Sequence, residues 1–129
     1  MIYIETSVAL AHLLAEDRHP PAALWQRPLV SSRLLQYEVW TRIHARKLAP
    51  SHGDAVSALL AGIALLELAP PVLQRALEAF PVPVRTLDAL HLASVVFLHS
   101  RDETVELATY DKRMLRAARA LRIPTFTLP

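Results

Sequence analysis

The chain has 129 residues, 53% of them hydrophobic, which suits one domain with an ample core. Cysteine is absent, which excludes disulfides and thiolate metal sites. The sequence has no uncharged apolar run of about 18 residues, so no membrane-spanning helix is predicted. The formal net charge of +2 permits nucleic-acid binding without indicating it. The first residues lack the basic start and small-residue cleavage site of a signal peptide, so we expect a cytoplasmic protein without a membrane association.

The first half of the chain is predicted to alternate short strands with helices. Residues 2–4 are strand formers, and Thr6 or Ser7 is a good N-cap for a helix over residues 8–15. The segment His19-Pro20-Pro21 breaks that helix. The further elements predicted here are a short helix over 22–26, a strand over 29–31, a helix from Ser31 or Ser32 to about Lys47, a break over 49–53 and a helix over 54–61.

The second half continues the same alternation. Gly62 is predicted to end a helix, and Pro70-Pro71 to open the next one in its first turn, where proline is tolerated. The predicted elements are strands over 65–68, 105–108 and 124–127, and helices over 72–79, from Thr86 to about His99, and from Asp111 to Leu121. Short strands alternating with helices predict a mainly parallel central sheet covered on both faces, a three-layer α/β/α fold in one domain over 1–129.

Four acidic residues lie where a strand gives way to a helix, or on a helix that can face such a point: Glu5, Glu38, Asp88 and Asp111. Ligands of parallel sheets bind beyond the carboxyl ends of the strands, and Glu5 and Asp111 directly follow predicted strands. Carboxylates that converge repel one another unless a divalent cation with oxygen ligands lies between them. The pattern therefore predicts a metal-dependent phosphodiesterase.

Each acid also has an ordinary structural explanation. Asp111 can cap the helix that follows it, and Asp88 can interact with a helix dipole in the first turn. Glu38 can form a surface pair with Arg42 one helical turn later. Glu5 is the hardest to explain in this way, because it ends a strand that should be central and buried.

The segment Arg85-Thr86-Leu87-Asp88-Ala89-Leu90-His91-Leu92-Ala93 is similar, almost word for word, to the third acidic motif of the PIN-domain family. Thr109-Tyr110-Asp111-Lys112-Arg113 resembles the fourth motif of that family. Tyr37-Glu38-Val39 resembles the second, and Ile2-Tyr3-Ile4-Glu5-Thr6-Ser7 the first. The resemblance covers nearly the whole length, and within the family it is to the VapC-type toxins of bacterial toxin–antitoxin pairs.

The resemblance implies a single PIN-like domain that acts as a metal-dependent endoribonuclease with Mg²⁺ or Mn²⁺. Glu5, Asp88 and Asp111 would be direct or water-mediated ligands, and Glu38 would bind a second ion or position water. An arginine near the cleft (Arg85, Arg113 or Arg116) would contact the RNA backbone. His91, which lies at i+3 from Asp88, is predicted to be a structural histidine on the packed side of its helix.

The same resemblance implies two protein partners. One is a VapB-type antitoxin whose C-terminal segment lies over the active site, and the other is a second copy of the chain in a homodimer. The apolar helices over residues 32–68 offer surfaces for both partners.

One departure from the family pattern bears on activity. Glu5 stands where the family usually has aspartate, and the added methylene moves the carboxylate outward by about one bond length. Because Mg²⁺ demands near-ideal octahedral geometry, we expect looser metal binding, a preference for Mn²⁺ or coordination through water. The alternative function is therefore a catalytically weak PIN-like module that binds RNA or antitoxin.

Two other classes fit less well. A phospho-acceptor receiver domain also places carboxylates at strand ends, but no adjacent acidic pair follows the first strand here. A plain structural α/β domain requires four separate coincidences to explain the four acids.

Overall fold

The computed structural model describes residues 1–129 as four short strands, six α-helices and a 3-10 helix over Ala22–Gln26. The strands are β1 (Ile2–Ile4), β2 (Leu29–Ser32), β3 (Ala64–Leu66) and β4 (Glu106–Ala108), and the helices are α1 (Thr6–Leu13), α2 (Leu34–Ala45), α3 (Ala49–Ala61), α4 (Pro70–Leu77), α5 (Thr86–Ser100) and α6 (Lys112–Ala120). All strand pairs are parallel, and the strand order β3-β2-β1-β4 places β1 inside the sheet. None of the helices has the length and apolar character needed to cross a membrane.

The pleat of β1 distributes the core over the two faces of the sheet. Ile2 and Ile4 point to one face, where they belong to a buried cluster with side chains of α1, α2 and α3. Tyr3 points to the other face, where it packs with side chains of α5 and α6. Helices therefore cover both faces, and the predicted parallel three-layer α/β/α fold is confirmed.

The predicted break over residues 49–53 is wrong, because α3 already begins at Ala49. Pro50 lies in its first turn, where an amide hydrogen has no partner within the helix anyway. The chain turns just before this point, where Lys47 takes a left-handed φ of 56°. For the same reason α2 ends at Ala45 and does not reach Lys47.

Two other predicted boundaries also need correction. The N-cap position of α1 is Glu5 and not Thr6 or Ser7, although the Glu5 side chain makes no capping hydrogen bond. The predicted strand over residues 124–127 is reduced to one parallel bridge between Leu107 and Thr125. Pro124 has no amide hydrogen to donate to a longer ladder.

The topology gathers residues that are distant in sequence at one edge of the sheet. The chain moves outward from β1 through β2 to β3, and then returns to β4 on the other side of β1. Such a reversal opens a crevice at the carboxyl ends of the strands. Glu5 directly follows β1, and its amide donates to the carbonyl of Ala108 at 3.1 Å. Residues 109–111, which directly follow β4, therefore lie beside Glu5.

Candidate active site

A cleft of about 520 Å³ opens at the carboxyl ends of β1 and β4. Three of the four predicted acids line this cleft: Glu5, Glu38 and Asp111. The fourth, Asp88, lines a separate neighbouring groove. The topology therefore brings together three acids that lie directly after β1, on α2 and in the β4–α6 connection.

Glu5 is only 7% exposed, and two hydroxyl groups hold its carboxylate. Its Oε1 accepts hydrogen bonds from Ser7 Oγ and Thr109 Oγ1, each at 2.5 Å. The Ser7 hydroxyl in turn accepts the Tyr110 amide at 2.9 Å, and the Thr109 hydroxyl accepts the Asp111 amide at 3.0 Å. These bonds tie the end of β1 to the segment that follows β4, and they fix the position of Glu5.

Glu38 is held in a similar way by residues from two other helices. Its Oε1 accepts from Thr6 Oγ1 and from His91 Nε2, both at 2.6 Å. The predicted pair with Arg42 is not formed, although Arg42 lines the same cleft. The reason is that Glu38 turns toward the buried ring of His91, which is the nearer cation.

His91 is buried beneath the cleft, which confirms its predicted place on the packed side of its helix. Its Nδ1 lies 2.8 Å from the hydroxyl of Tyr3. Burial alone would lower the pKa of His91, but the Tyr3 hydroxyl, the hydrogen bond to Glu38, and the charges of Glu38 and Glu5 together raise this pKa to about 10. At neutral pH the ring is therefore protonated, and both ring nitrogens donate.

Asp111 occupies the N-cap position of α6, as its structural explanation predicted. Its Oδ1 accepts the amides of Arg113 at 2.8 Å and Met114 at 3.3 Å. Asp88 is partly buried, and this burial, followed by the charge of Asp111, raises the pKa of Asp88. Arg85 and His91 oppose that shift. Asp88 and Asp111 are thus electrostatic neighbours, although they line separate depressions.

The three acids of the cleft share one arrangement. One oxygen of each carboxylate accepts all of its hydrogen bonds from the protein, and the second oxygen accepts none. An all-oxygen donor set of this kind fits a hard divalent cation such as Mg²⁺ or Mn²⁺. No three Asp, Glu or His side chains converge closely enough to hold one ion directly. Metal ligation by Glu5, Glu38, Asp88 and Asp111 stays a prediction, and water-mediated contacts suit this spacing best.

The sequence did not predict the anchoring contact of Tyr3 with His91, and for Thr6 it predicted only a capping role. The alternation of β1 was a usable signal, because it places Tyr3 on the sheet face opposite Ile2 and Ile4, where α5 carries His91. No comparable signal existed for Arg18, which lines the cleft and donates to the Tyr110 carbonyl at 3.0 Å.

The fold and the cleft define an α/β domain with an acidic site at the switch point of a parallel sheet. The family model of the PIN domain matches residues 2–120, and the chain belongs to this family. It is 32% identical over 129 residues to Ribonuclease VapC35 of Mycobacterium tuberculosis (strains CDC 1551 / Oshkosh and ATCC 25618 / H37Rv), with 95% of this chain and 93% of that protein covered. It is 30% identical over 132 residues to Ribonuclease VapC47 of strain CDC 1551 / Oshkosh, with 97% and 95% covered. The resemblance to PIN-domain and VapC-type proteins is confirmed.

We expect His91→Gln to lower the free energy of unfolding by about 2 kcal/mol, because a neutral amide replaces a buried charged donor to Glu38. The folded-state pKa of His91, about 10, lies above the ordinary value near 6.5. Its contribution is therefore fully present below about pH 6.5 and is lost as the pH rises toward 10. Urea unfolding of both proteins in EDTA, across this pH range, measures the difference. A difference that stays constant with pH would mean that His91 is neutral in the folded protein.

Proposed function

We propose that this chain is a metal-dependent endoribonuclease that cleaves RNA phosphodiester bonds and serves as the toxin of a type II toxin–antitoxin pair. The observation that carries the proposal is the set of three cleft carboxylates, each with one oxygen fixed by the protein and one oxygen free of protein partners. Membership of the PIN family and the relatives named ribonuclease support it.

Side chains around the cleft position its carboxylates. Ser7 and Thr109 hold Glu5, while Thr6 and His91 hold Glu38, so that each carboxylate keeps a fixed orientation. When Mg²⁺ or Mn²⁺ is bound, it lowers the pKa of a water molecule and offsets charge on the leaving oxygen. We assign Glu5, Glu38 and Asp111 to the binding of metal in the cleft. We assign Asp88 to the same centre because it lines the groove next to the cleft, where burial and then the charge of Asp111 raise its pKa.

We expect Asp111→Asn to reduce RNA cleavage by roughly a hundredfold, because the variant loses a metal-binding charge. Asparagine also caps helices well, so α6 should keep its N-cap and the protein should stay folded. The measurement is cleavage of a labelled RNA pool with Mg²⁺, with Mn²⁺ and with EDTA.

The proposal requires cleavage that EDTA abolishes and that Asp111→Asn lacks. Folded wild-type protein that cleaves no RNA with either metal would favour the alternative function, a PIN-like module that binds RNA or antitoxin without turnover.

We expect Glu5→Asp to lower cleavage by roughly tenfold, because the shorter side chain withdraws its carboxylate from the two hydroxyls that hold it. Glu5→Gln is the matched control, since it keeps the reach of glutamate and removes the charge. The measurement is the rate of RNA cleavage by the wild-type protein, Glu5→Asp and Glu5→Gln at equal concentration. A rise in activity for Glu5→Asp would mean that glutamate impairs this site, and it would favour the weakly active binding module.

We propose a VapB-type antitoxin and a second copy of the chain as protein partners, in the cytoplasm. The helices over 32–68 were predicted to carry the partner surfaces, but only one large apolar side chain is exposed there, that of Tyr37. The others lie on α4 and at the start of α5: Leu73, Leu77 and Leu87. Leu73 and Leu77 line a groove of about 730 Å³ with mostly hydrophobic walls. A surface patch of this kind commonly marks a protein–protein contact, and we assign it to the homodimer.

We expect Leu77→Lys to shift the chain from dimer toward monomer in sedimentation equilibrium. Leu77 is 81% exposed, so the thermal midpoint of the monomer should not fall through lost packing. Ala120→Lys, which adds the same charge at the exposed end of α6, is the control. An unchanged dimer in the Leu77 variant would exclude this patch from the interface.

A further inference from the structure

A cavity of about 440 Å³ lies between α6 and the segment over residues 125–129. It shares Arg18 and Tyr110 with the lining of the acidic cleft, but none of the four predicted acids lines it. Lys112 and Arg119 belong to one wall, because their spacing of two helical turns places them on one face of α6. We call this cavity the α6 pocket.

The α6 pocket is lined by three positively charged side chains and by no carboxylate side chain. Lys112 and Arg119 are exposed, and neither forms a salt bridge. Arg18 donates to the carbonyl of Tyr110 at 3.0 Å and lies 5.3 Å from the centre of the Tyr110 ring, so it also has no anionic partner. An anion in the pocket would offset this positive excess.

The wall opposite α6 leaves backbone hydrogen-bonding groups unused. The carbonyl of Pro124 accepts the amide of Leu107, and the amide of Phe126 donates to the carbonyl of Leu107, each at 2.8 Å. Because polar groups alternate between the two sides of an extended segment, the N–H and C=O of Thr125 face away from β4. Neither group forms a backbone hydrogen bond. Thr125 therefore offers one free donor beside one free acceptor.

We propose that the α6 pocket binds a nucleoside monophosphate, with the phosphate among the three cations and the base on the free backbone groups of Thr125. A terminal phosphate suits three cations better than an internal phosphodiester does, because it carries close to two negative charges at neutral pH. The edge of adenine presents an acceptor next to a donor, which complements the N–H and C=O of one residue. The site needs no metal and is independent of the proposed ribonuclease function.

The shape of the pocket favours a nucleotide over an acidic peptide strand. The pairing of Thr125 with Leu107 is a single bridge, so the segment gives an added strand too little edge to pair along. The volume lies in the range of small-molecule sites, and Lys112 and Arg119 are separated by about 10 Å along the axis of α6. A mononucleotide is long enough to contact both.

Titration of isotope-labelled protein with AMP in EDTA, followed by backbone amide chemical shifts, tests the proposal. The amides of Thr125, Phe126 and Arg119 should show saturable shifts, while those of Glu38 and Asp88 should change little. Adenosine alone and inorganic phosphate alone should each bind roughly tenfold more weakly than AMP, because each lacks one half of the contacts.

Charge-removing variants on two faces of α6 locate the phosphate. Lys112→Gln and Arg119→Gln should each weaken AMP binding roughly fivefold, because each loses a charge-assisted contact. Arg116→Gln is the matched control. It removes the same charge from the same helix, but Arg116 lines the groove of Asp88 and not the α6 pocket. All three side chains are partly or fully exposed, so the variants should stay folded.

Three results would each overturn the proposal. Inorganic phosphate that binds as tightly as AMP would leave only a simple anion site. Arg116→Gln that weakens AMP binding as much as Arg119→Gln would move the nucleotide to the groove of Asp88. Amides around Thr125 that do not shift with AMP would exclude the base from this wall.

A short RNA strand distinguishes the two sources of a nucleoside monophosphate. Displacement of AMP by a strand with a terminal phosphate, and not by the same strand with a terminal hydroxyl, would assign the pocket to the end of an RNA. AMP that neither strand displaces would assign it to a free nucleotide. Equal displacement by both strands would mean that internal linkages occupy the pocket, and the proposal would fall.

Discussion

The carboxylate of Glu5, buried at the end of the central strand, imposes a constraint on everything around it. A charge in that place is costly unless polar groups reach it, and the chain supplies two hydroxyls from segments far apart in sequence. One comes from the start of α1, and the other from the residue after β4. Both hydroxyls also accept backbone amides of the β4–α6 connection. The requirement to solvate one carboxylate therefore fixes the position of the loop that carries Asp111.

A second network runs through the sheet from one helical layer to the other. Tyr3 lies on the α5–α6 side of β1, where its hydroxyl contacts His91 Nδ1. The other ring nitrogen of His91, Nε2, contacts Glu38 on α2. Thr6 adds a hydroxyl to the same carboxylate oxygen. The protonated ring thus balances a charge that packing alone could not bury, and it makes the orientation of Glu38 depend on both layers. Positioning of this acid is a property of the whole fold and not of its own helix.

Much of this fold was predictable from the sequence, because the strands and helices follow strong local signals. The central strand, the capping by Asp111 and the place of His91 all depend on short-range patterning. The error at the start of α3 comes from a turn without a residue signature. Proline and glycine near residue 50 suggested a break, yet the turn falls at Lys47, a residue with no preference for positive φ.

The sequence placed three of the four predicted acids correctly in one cleft, but it did not give their hydrogen-bond geometry or the separate position of Asp88. Strand ends placed Glu5 and Asp111 together, since parallel neighbours must end at one edge. Glu38 bonds to His91 of α5 and not to Arg42 of its own helix. Sequence spacing could suggest only Arg42, because it is one helical turn from Glu38. Burial decides between them, and burial is a property of three-dimensional packing.

The net charge of the chain is only +2, but the charges are unevenly distributed between two neighbouring depressions. Carboxylates outnumber arginines in the lining of the cleft at the carboxyl ends of β1 and β4. In the groove next to it the excess is reversed, since three arginines line it beside one carboxylate, that of Asp88. The excess of carboxylates in the cleft would repel a polyanion, whereas the neighbouring groove combines its arginines with Asp88, the fourth predicted acid. None of the three predicted acids in the cleft pairs with an arginine, although Arg18 and Arg42 line it, so one oxygen of each carboxylate has no protein partner.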